Sequence, residues 1–302
     1  MEKRRPLIAD IKRNSLDDGP GIRSVVFFKG CPLNCVWCHN PECISAGQEL
    51  LYKSESCISC KTCVKVCPEK AIPQYKGPAE MDKDKCTFCG ECAKECPSGA
   101  LSIVGRYYSS QELFNELIKD KLFYDNSNGG VTLSGGEPTL FIDYVSEITE
   151  TLKQAGIKVC IETCGHFEWD VFARKLLPNI SLIYVDIKLF DAEEHRKYTG
   201  KDNKKIKENI LRIVRLENVD KLVRVPLIPE ITVVERNLIS IAEWLKENGV
   251  HKIALLPYNP LWLPKAKGLR KKLSYNRDSW MTTEEKERVR DILRDFVIER
   301  DI

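Results

Sequence analysis

Cys31, Cys35 and Cys38 stand within eight residues, in the run Gly30-Cys-Pro-Leu-Asn-Cys-Val-Trp-Cys-His-Asn40. The C-x3-C-x2-C spacing offers three thiolates, one fewer than a closed tetrahedral site uses. An iron–sulfur cluster held by three cysteines keeps one iron open to a ligand that the protein does not supply. Such a vacancy separates a catalytic cluster from one that only carries electrons, as an open position marks catalytic zinc. The competing readings are a zinc site or buried cysteines that merely lie close together. Three cysteines this close, introduced by a tight Gly-Cys-Pro turn, favour the cluster.

A second cysteine pattern follows. Cys57-x2-Cys60-x2-Cys63-x3-Cys67-Pro68 is repeated 29 residues later as Cys86-x2-Cys89-x2-Cys92-x3-Cys96-Pro97. C-x2-C-x2-C-x3-C-P is the bacterial ferredoxin run, in which the fourth cysteine ligates the other cluster. One 4Fe–4S cluster is therefore expected on Cys57, Cys60, Cys63 and Cys96, and another on Cys67, Cys86, Cys89 and Cys92. Zinc ribbons use two cysteine pairs rather than two quartets with a trailing proline. Three clusters account for eleven of the fourteen cysteines. Cys43, Cys160 and Cys164 are left over; Cys160, inside an apolar strand, reads as a small buried hydrophobe.

Composition bounds the rest. The chain has 302 residues, 43% hydrophobic and 30% charged, with a formal net charge of +3. That charge is too small to argue for nucleic acid. No stretch approaches the ~18 apolar residues of a membrane span, and nothing before Pro6 resembles a signal peptide. Without export, fourteen cysteines point to ligation rather than disulfides, because the cytosol keeps thiols reduced. The expectation is a cytoplasmic, anaerobic protein, monomeric, with neither a membrane nor a nucleic-acid partner.

The elements that must position these residues alternate. Strands are expected at Ser24–Phe28, Gly130–Leu133, Lys158–Ile161, Leu182–Ile187, Leu222–Leu227 and Lys252–Leu256. Helices are expected at Ser110–Lys121, Phe141–Ala155, Trp169–Leu177, Lys204–Leu216, Val234–Asn248 and Thr282–Arg300, with Ser109/Ser110 and Thr282/Thr283 as N-caps. Alternation implies a parallel sheet, and six units are fewer than a closed eight-strand barrel needs. The fold expected is α/β: a partial (β/α)6 TIM-like barrel from residues 1–50 and 104–302. A ferredoxin-like α+β domain is inserted at 51–103, and a doubly wound open sheet is the alternative. Ser134-Gly-Gly-Glu137-Pro138, Glu162-Thr163, Asp186-Ile187-Lys188 and Pro257-Tyr258-Asn259 all fall where strands end, the level at which barrels hold their active sites.

D-G-P-G-I-R from Asp18, G-C-P-L-x-C-x-W-C-x-N-P-E through Glu42, S-N-G-G-V-T-L-S-G-G-E-P from Ser127, I-E-T from Ile161, D-I-K from Asp186, H-R-K-Y-T-G from His195, R-V-P from Arg224 and L-L-P-Y from Leu255 carry a wider likeness. Up to about Trp262 the chain resembles the activating enzymes of glycyl-radical enzymes, in the radical S-adenosylmethionine (SAM) superfamily. It is similar to the larger type with a two-cluster insert, within the pyruvate formate-lyase activating enzyme family. The resemblance implies that Cys31, Cys35 and Cys38 hold the catalytic cluster, whose open iron takes the amino and carboxylate groups of SAM. It implies further cofactor contacts from Trp37 and His39, which flank Cys38, and from Gly136, Glu137, Asp186, Ile187, Lys188, Arg224 and Asn259. It also implies a monovalent cation near Glu162, Thr163 and Asp186. The partners implied are a glycyl-radical enzyme, whose glycine loop Asp18 would contact, and an electron donor such as flavodoxin or ferredoxin.

Two positions depart from the pattern: Asp17 stands where relatives usually carry His, and Asn259 where the L-P-Y motif usually continues with His. Asn still donates and accepts hydrogen bonds but cannot titrate. The reading is therefore an activase that cleaves SAM reductively and takes a hydrogen atom from a partner's glycine. The alternatives are a radical SAM enzyme acting directly on a small molecule or RNA, and an electron-transfer protein whose clusters are all relays.

Overall fold

The computed structural model describes residues 5–75 and 77–299. The stretch before Pro6 is outside these residues up to position 4, as is the end of the helix expected to reach Arg300. Eleven strands form among the described residues. They are β1 (Leu7–Ser15), β2 (Arg23–Phe28), β3 (Glu49–Tyr52), β4 (Leu101–Val104), β5 (Arg106–Tyr107), β6 (Gly130–Gly135), β7 (Lys158–Thr163), β8 (Leu182–Asp186), β9 (Asp220–Leu227), β10 (Lys252–Pro257) and β11 (Val297–Ile298).

All six expected strands are present, as β2, β6, β7, β8, β9 and β10, and they pair in that order as parallel neighbours. The sheet is open and mixed, running β11-β10-β9-β8-β7-β6-β2-β1-β5. Strand alternation divides its two faces. Val131, Leu133, Val159, Ile161, Ile183, Val185, Val223, Val225, Ile253 and Leu255 join the helices in one apolar core. The other face carries a small apolar cluster of Cys160, Leu182, Tyr184, Leu222 and Ala254. Glu162, Asp186 and Arg224 share that second face, since Glu162 is in register with Tyr184 and Asp186 with Arg224. Polar chemistry is thus confined to the inner face of an open barrel.

Several elements differ from expectation. β1 was not foreseen: Asp10, Lys12 and Arg13 break its apolar run. It pairs antiparallel with β2 and carries the short β5 outside it, in keeping with the charged edges by which sheets avoid self-pairing. The helix expected over Thr282–Arg300 spans Thr283–Ile292, because Val297 and Ile298 pair with Lys252 and Ile253 instead. Its start is as expected, with Thr282 and Glu285 in a reciprocal capping box like that of Ser109 and Glu112. The helix expected over Ser110–Lys121 ends at Leu117, and three further helices outside the insert, Lys121–Ser127, Ala192–Thr199 and Trp262–Gly268, follow in stretches mostly left unassigned.

Between β3 and β4, which pair antiparallel as a separate two-stranded sheet, the cysteine-rich segment has its own apolar cluster of Leu50, Ala71, Ile72, Met81, Cys92 and Leu101. The 29-residue repeat is visible in the backbone. Ser59 and Phe88 have φ of 56° and 54°, Lys61 and Gly90 60° and 85°, Lys70 and Gly99 50° and 64°.

The helix Ala192–Thr199 is fixed at both ends. The Asp191 carboxylate accepts from the Glu193 and Glu194 amides, and Gly200 closes it in the left-handed region at φ 84°. Inside it, His195 is buried, and its Nδ1 donates to the Lys201 carbonyl at 2.6 Å while Thr199 Oγ1 lies 3.0 Å from the same nitrogen. Burial lowers the imidazole pKa to about 4, although the Lys201 contact works in the other direction. An unfolded histidine titrates near 6.5. The folded group binds its proton later, so its contribution to stability is complete above that value and is lost as pH falls towards 4. His195→Gln should therefore flatten the decline of the melting temperature between roughly pH 6.5 and 4. Parallel melting curves for variant and wild type across that window would remove His195 as the group responsible.

Candidate active site

The cysteine loop leaves the C-terminal end of β2 and is held by backbone bonds on both sides. Gly30 N donates to Cys43 O at 2.8 Å and Cys31 N to Ile44 O at 3.1 Å, closing the loop on its own exit. Asn34 N donates to Thr199 O at 2.7 Å and Val36 N to Tyr198 O at 3.1 Å. The last turn of the His195 helix is therefore the outer wall of the loop, which gives the H-R-K-Y-T-G run a structural task that spacing alone did not reveal.

The loop after β6 meets it. Gly136 N donates to Phe28 O and Glu137 N to Gly30 O, each at 2.8 Å. A Cβ on Gly136 would lie 2.1 Å from Gly30 O and 2.5 Å from Cys43 O. The absence of a side chain is therefore demanded first by this chain's own backbone, whereas the expectation was an approach to the cofactor. The Glu137 side chain is fully buried. Its carboxylate accepts from Thr139 N and Oγ1, Thr163 Oγ1 and Cys164 N at 2.7 to 3.2 Å. Glu137 was expected at the cofactor; the structure uses its carboxylate to bind the β6 loop to the end of β7.

The inner-face charges form a closed group. Arg224 Nε donates to Asp186 Oδ1 at 2.7 Å and Nη1 to Glu162 Oε1 at 2.5 Å. Lys188 Nζ donates to Asp186 Oδ2 at 2.8 Å, and Ser134 Oγ to Glu162 Oε2 at 2.7 Å. Two carboxylates thus face two cations. Burial alone would raise the Asp186 pKa, but Arg224 and Lys188 outweigh it and hold the carboxyl below its usual range. Burial opposes the charge on Lys188 and Arg224 as well, and their acids overcome it and raise both. Breaking such a buried pair costs about 3–5 kcal/mol, because the remaining charge is uncompensated. At the expected cation site of Glu162, Thr163 and Asp186, Arg224 and Lys188 donate to the two acids, and Thr163 Oγ1 donates to Glu137.

The remaining site residues divide. Cys35 and Cys38 are raised by burial, Cys38 to about 11. Cys31 is lowered, chiefly by a hydrogen bond from the Cys164 thiol, and the same bond with burial raises Cys164. Cys164, just past the end of β7 where the sequence allowed it to face the site, is thus a neighbour of the cysteine loop. Ile187 is buried, and its amide donates to Arg224 O at 2.9 Å. Asn259 Oδ1 accepts from Leu261 N, making a turn that starts the helix Trp262–Gly268. Trp37, expected beside the adenosyl group, is packed in the main apolar core at 4% exposure. His39 Nε2 is buried without a partner, and its ring centroid lies 5.8 Å from that of Tyr258. An orphaned buried nitrogen beside the loop is the kind of group a ligand satisfies.

The ferredoxin-type cysteines gather around two cavities. One, of about 190 Å³, is lined by Cys57, Cys60, Cys63 and Cys96. The other is lined by Cys67, Cys86, Cys89 and Cys92. These are the two crossed quartets expected from the ferredoxin run. Among the described residues no group of three or more His, Cys, Asp or Glu side chains is placed to hold a single metal ion.

The Asp18 loop stands at the other end of β2, a strand's length or about 20 Å from Cys31 at 3.3 Å per residue. The Asp18 carboxylate accepts from Ser15 Oγ. Arg23, which donates from Nη1 to Pro20 O in that loop at 3.3 Å, is buried. It is 2% exposed, donating from Nε to Thr132 Oγ1 at 2.7 Å and from Nη2 to Val131 O at 2.6 Å. Among the described residues, no helix is long and apolar enough to cross a membrane.

Comparison with known proteins agrees with this geometry. The radical SAM superfamily model matches residues 83–240, a 4Fe-4S dicluster domain residues 56–100, and a 4Fe-4S single cluster domain residues 17–72. The trans-4-hydroxy-L-proline dehydratase activating enzyme of Clostridioides difficile is 44% identical over 84% of this chain and 84% of its own. The benzylsuccinate synthase activating enzyme of Thauera aromatica is 38% identical over 83% of this chain and 76% of its own. The choline trimethylamine-lyase activating enzyme of Oleidesulfovibrio alaskensis is 38% identical over 89% and 88%. A radical SAM methyltransferase from Sphaerobacter thermophilus shares the fold, with a TM-score of 0.53 at 13% identity, over 97% of this chain and 76% of that one. Carrying iron–sulfur domains and aligning with these relatives along most of its length, the chain belongs to the radical SAM superfamily and, within it, to the activating enzymes of glycyl-radical enzymes.

Proposed function

We propose that this protein activates a glycyl-radical enzyme by reductive cleavage of SAM at a cluster held by Cys31, Cys35 and Cys38. The observation that carries the reading is the convergence of three motifs: the three-cysteine loop, the Gly136-Glu137 turn and the Asp186–Lys188 strand end meet at one level of the barrel. When bound, the cluster supplies the electron that breaks the C5′–S bond of SAM, and the resulting 5′-deoxyadenosyl radical takes a hydrogen atom from the Cα of a partner glycine.

The residues would divide that work as follows. The fixed loop sets the three thiolates, and Cys164 donates a hydrogen bond to the Cys31 sulfur. Lys188 and Arg224 supply positive charge towards the methionine carboxylate while Asp186 and Glu162 keep the group neutral overall. Gly136, Glu137 and Ile187 contribute backbone rather than side-chain contacts. His39 and Asn259 remain the side chains for the adenosyl end, with Trp37 buttressing the loop from behind.

The segment 51–103 forms, in this reading, a ferredoxin-like domain on a barrel of residues 1–50 and 104–302, with one 4Fe–4S cluster in each crossed quartet and a soluble one-electron carrier as donor. The protein would act as a monomer in the cytoplasm of an anaerobe. Asp18 would receive the partner's glycine loop, which would enter at its end of β2 and lie along the inner face.

Iron content tests the division. Wild type should bind about twelve irons and the triple variant Cys31→Ala, Cys35→Ala, Cys38→Ala about eight, four per cluster. Iron unchanged in the triple variant, or a wild type with one cluster's worth, contradicts it.

Partner activation is tested under anaerobic conditions with a glycyl-radical enzyme encoded nearby. Wild type should yield 5′-deoxyadenosine and a glycyl-radical electron paramagnetic resonance (EPR) signal together. Asp18→Ala should keep uncoupled SAM cleavage and lose the partner radical. Loss of both would place Asp18 in folding or cofactor binding, and retention of both would remove it from the partner site.

A further inference from the structure

The 29-residue repeat gives the insert an internal comparison, and its two copies differ where they meet solvent. Residue 61 of the first copy and residue 90 of the second hold the same left-handed backbone, at φ 60° and 85°. The second copy places Gly90 there, the residue for which this conformation is free; the first places Lys61, which is strained in it. Around it, Lys53, Lys61 and Lys65 outnumber the single acid Glu55. The equivalent stretch 82–95 has four acids, Asp82, Asp84, Glu91 and Glu95, against three lysines. Lys85 and Lys94 are drawn into ion pairs with those acids. Lys53, Lys61 and Lys65 are exposed and form no ion pair among the described residues. Lys61 lines the cavity of Cys57, Cys60, Cys63 and Cys96 together with Ile58, 65% exposed, and Tyr75, 93% exposed, and Cys60 itself is exposed there.

Position supports a use for this face. The first quartet's cavity is lined by Tyr52 and Leu101, the second's by Leu50 and Ile103. The strand pair joins the barrel at the Glu49 end, where Glu49 Oε2 meets the buried Lys29 Nζ at 2.9 Å. The first quartet is therefore the outer one and the second lies towards the cysteine loop.

We propose that the Ile58–Tyr75 face, with Lys61 in its rim, Lys65 one turn on and Lys53 just before it in the chain, is the docking surface for a small acidic one-electron carrier protein. Unpaired bases steer an acidic partner, and the apolar residues bury against it. The carrier's reduced centre gives up one electron, the group held by Cys57, Cys60, Cys63 and Cys96 takes it up, and no proton, bond or atom changes hands. This rests on the reading that the insert delivers electrons to the barrel.

The test is stopped-flow reduction of the reconstituted holoenzyme, without SAM or partner enzyme, so that failure of the activation reading would not alter it. The probe is a pre-reduced acidic 2Fe–2S ferredoxin, and dithionite is the small-molecule control. Lys61→Gly is safe for the fold, because Gly90 already shows that glycine suits this backbone. The double variant Lys61→Gly, Lys65→Ala should slow reduction by ferredoxin about tenfold at low salt, and wild type should approach the slow rate as salt rises. Dithionite reduction should be unchanged, as should both rates in Lys94→Ala, the counterpart of Lys65 in the second copy. Wild-type ferredoxin rates in the double variant, or equal slowing by Lys94→Ala, would overturn the proposal. So would a concentration-dependent dimer of the wild type that Lys61→Gly abolishes, since a second copy would then cover this face.

Discussion

One buried carboxylate, that of Glu137, holds the site together. It is satisfied entirely by neutral donors: Thr139 from its own turn, and Thr163 and Cys164 from the end of β7. Its backbone amide meanwhile binds Gly30 O, at the root of the cysteine loop. Burying a carboxylate without such partners costs several kcal/mol, so the three segments hold their mutual positions or the acid forfeits its hydrogen bonds. The Cys31–Cys164 contact and the close Gly136–Gly30 approach both follow from this tie.

A second constraint acts one layer deeper. Glu162, Asp186, Arg224 and Lys188 are buried charges that cancel among themselves, on a sheet face whose other residues are mostly apolar. Their mutual neutralisation allows charge to be kept close to the cysteine loop without an uncompensated ion. The outer wall of the site depends on a third element, the His195 helix, whose last carbonyls receive the loop's amides.

Much of the barrel could be read from the chain because its six parallel strands are short Val, Ile and Leu runs covered on both sides, which leaves a strong local signal. β1 was hidden by its own charges, an edge strand whose pairing depends on β2 rather than on its composition. The overlong C-terminal helix came from a helical-looking tail that β10 recruits as a strand. At the site, the grouping of the eight ferredoxin-type cysteines around two cavities was legible because cluster geometry constrains spacing along the chain. The Glu137 network, the pairing of Cys164 with Cys31 and the burial of Arg23 were not, because each depends on which segments meet in space. Trp37, which the resemblance set at the adenosyl end, packs in the main apolar core, a placement that depends on the fold and not on its neighbours in sequence.

The central claim is that the Glu137 carboxylate sets the cysteine loop for SAM. Glu137→Gln puts an amide NH2 where Thr163 and Cys164 both donate, so one donor must face another. The most direct measurement is the EPR spectrum of the reduced, reconstituted variant before and after SAM is added. The account predicts that wild type shifts on addition and that Glu137→Gln does not, while the signals of the two ferredoxin-type clusters are unchanged. A full wild-type shift in Glu137→Gln would contradict it.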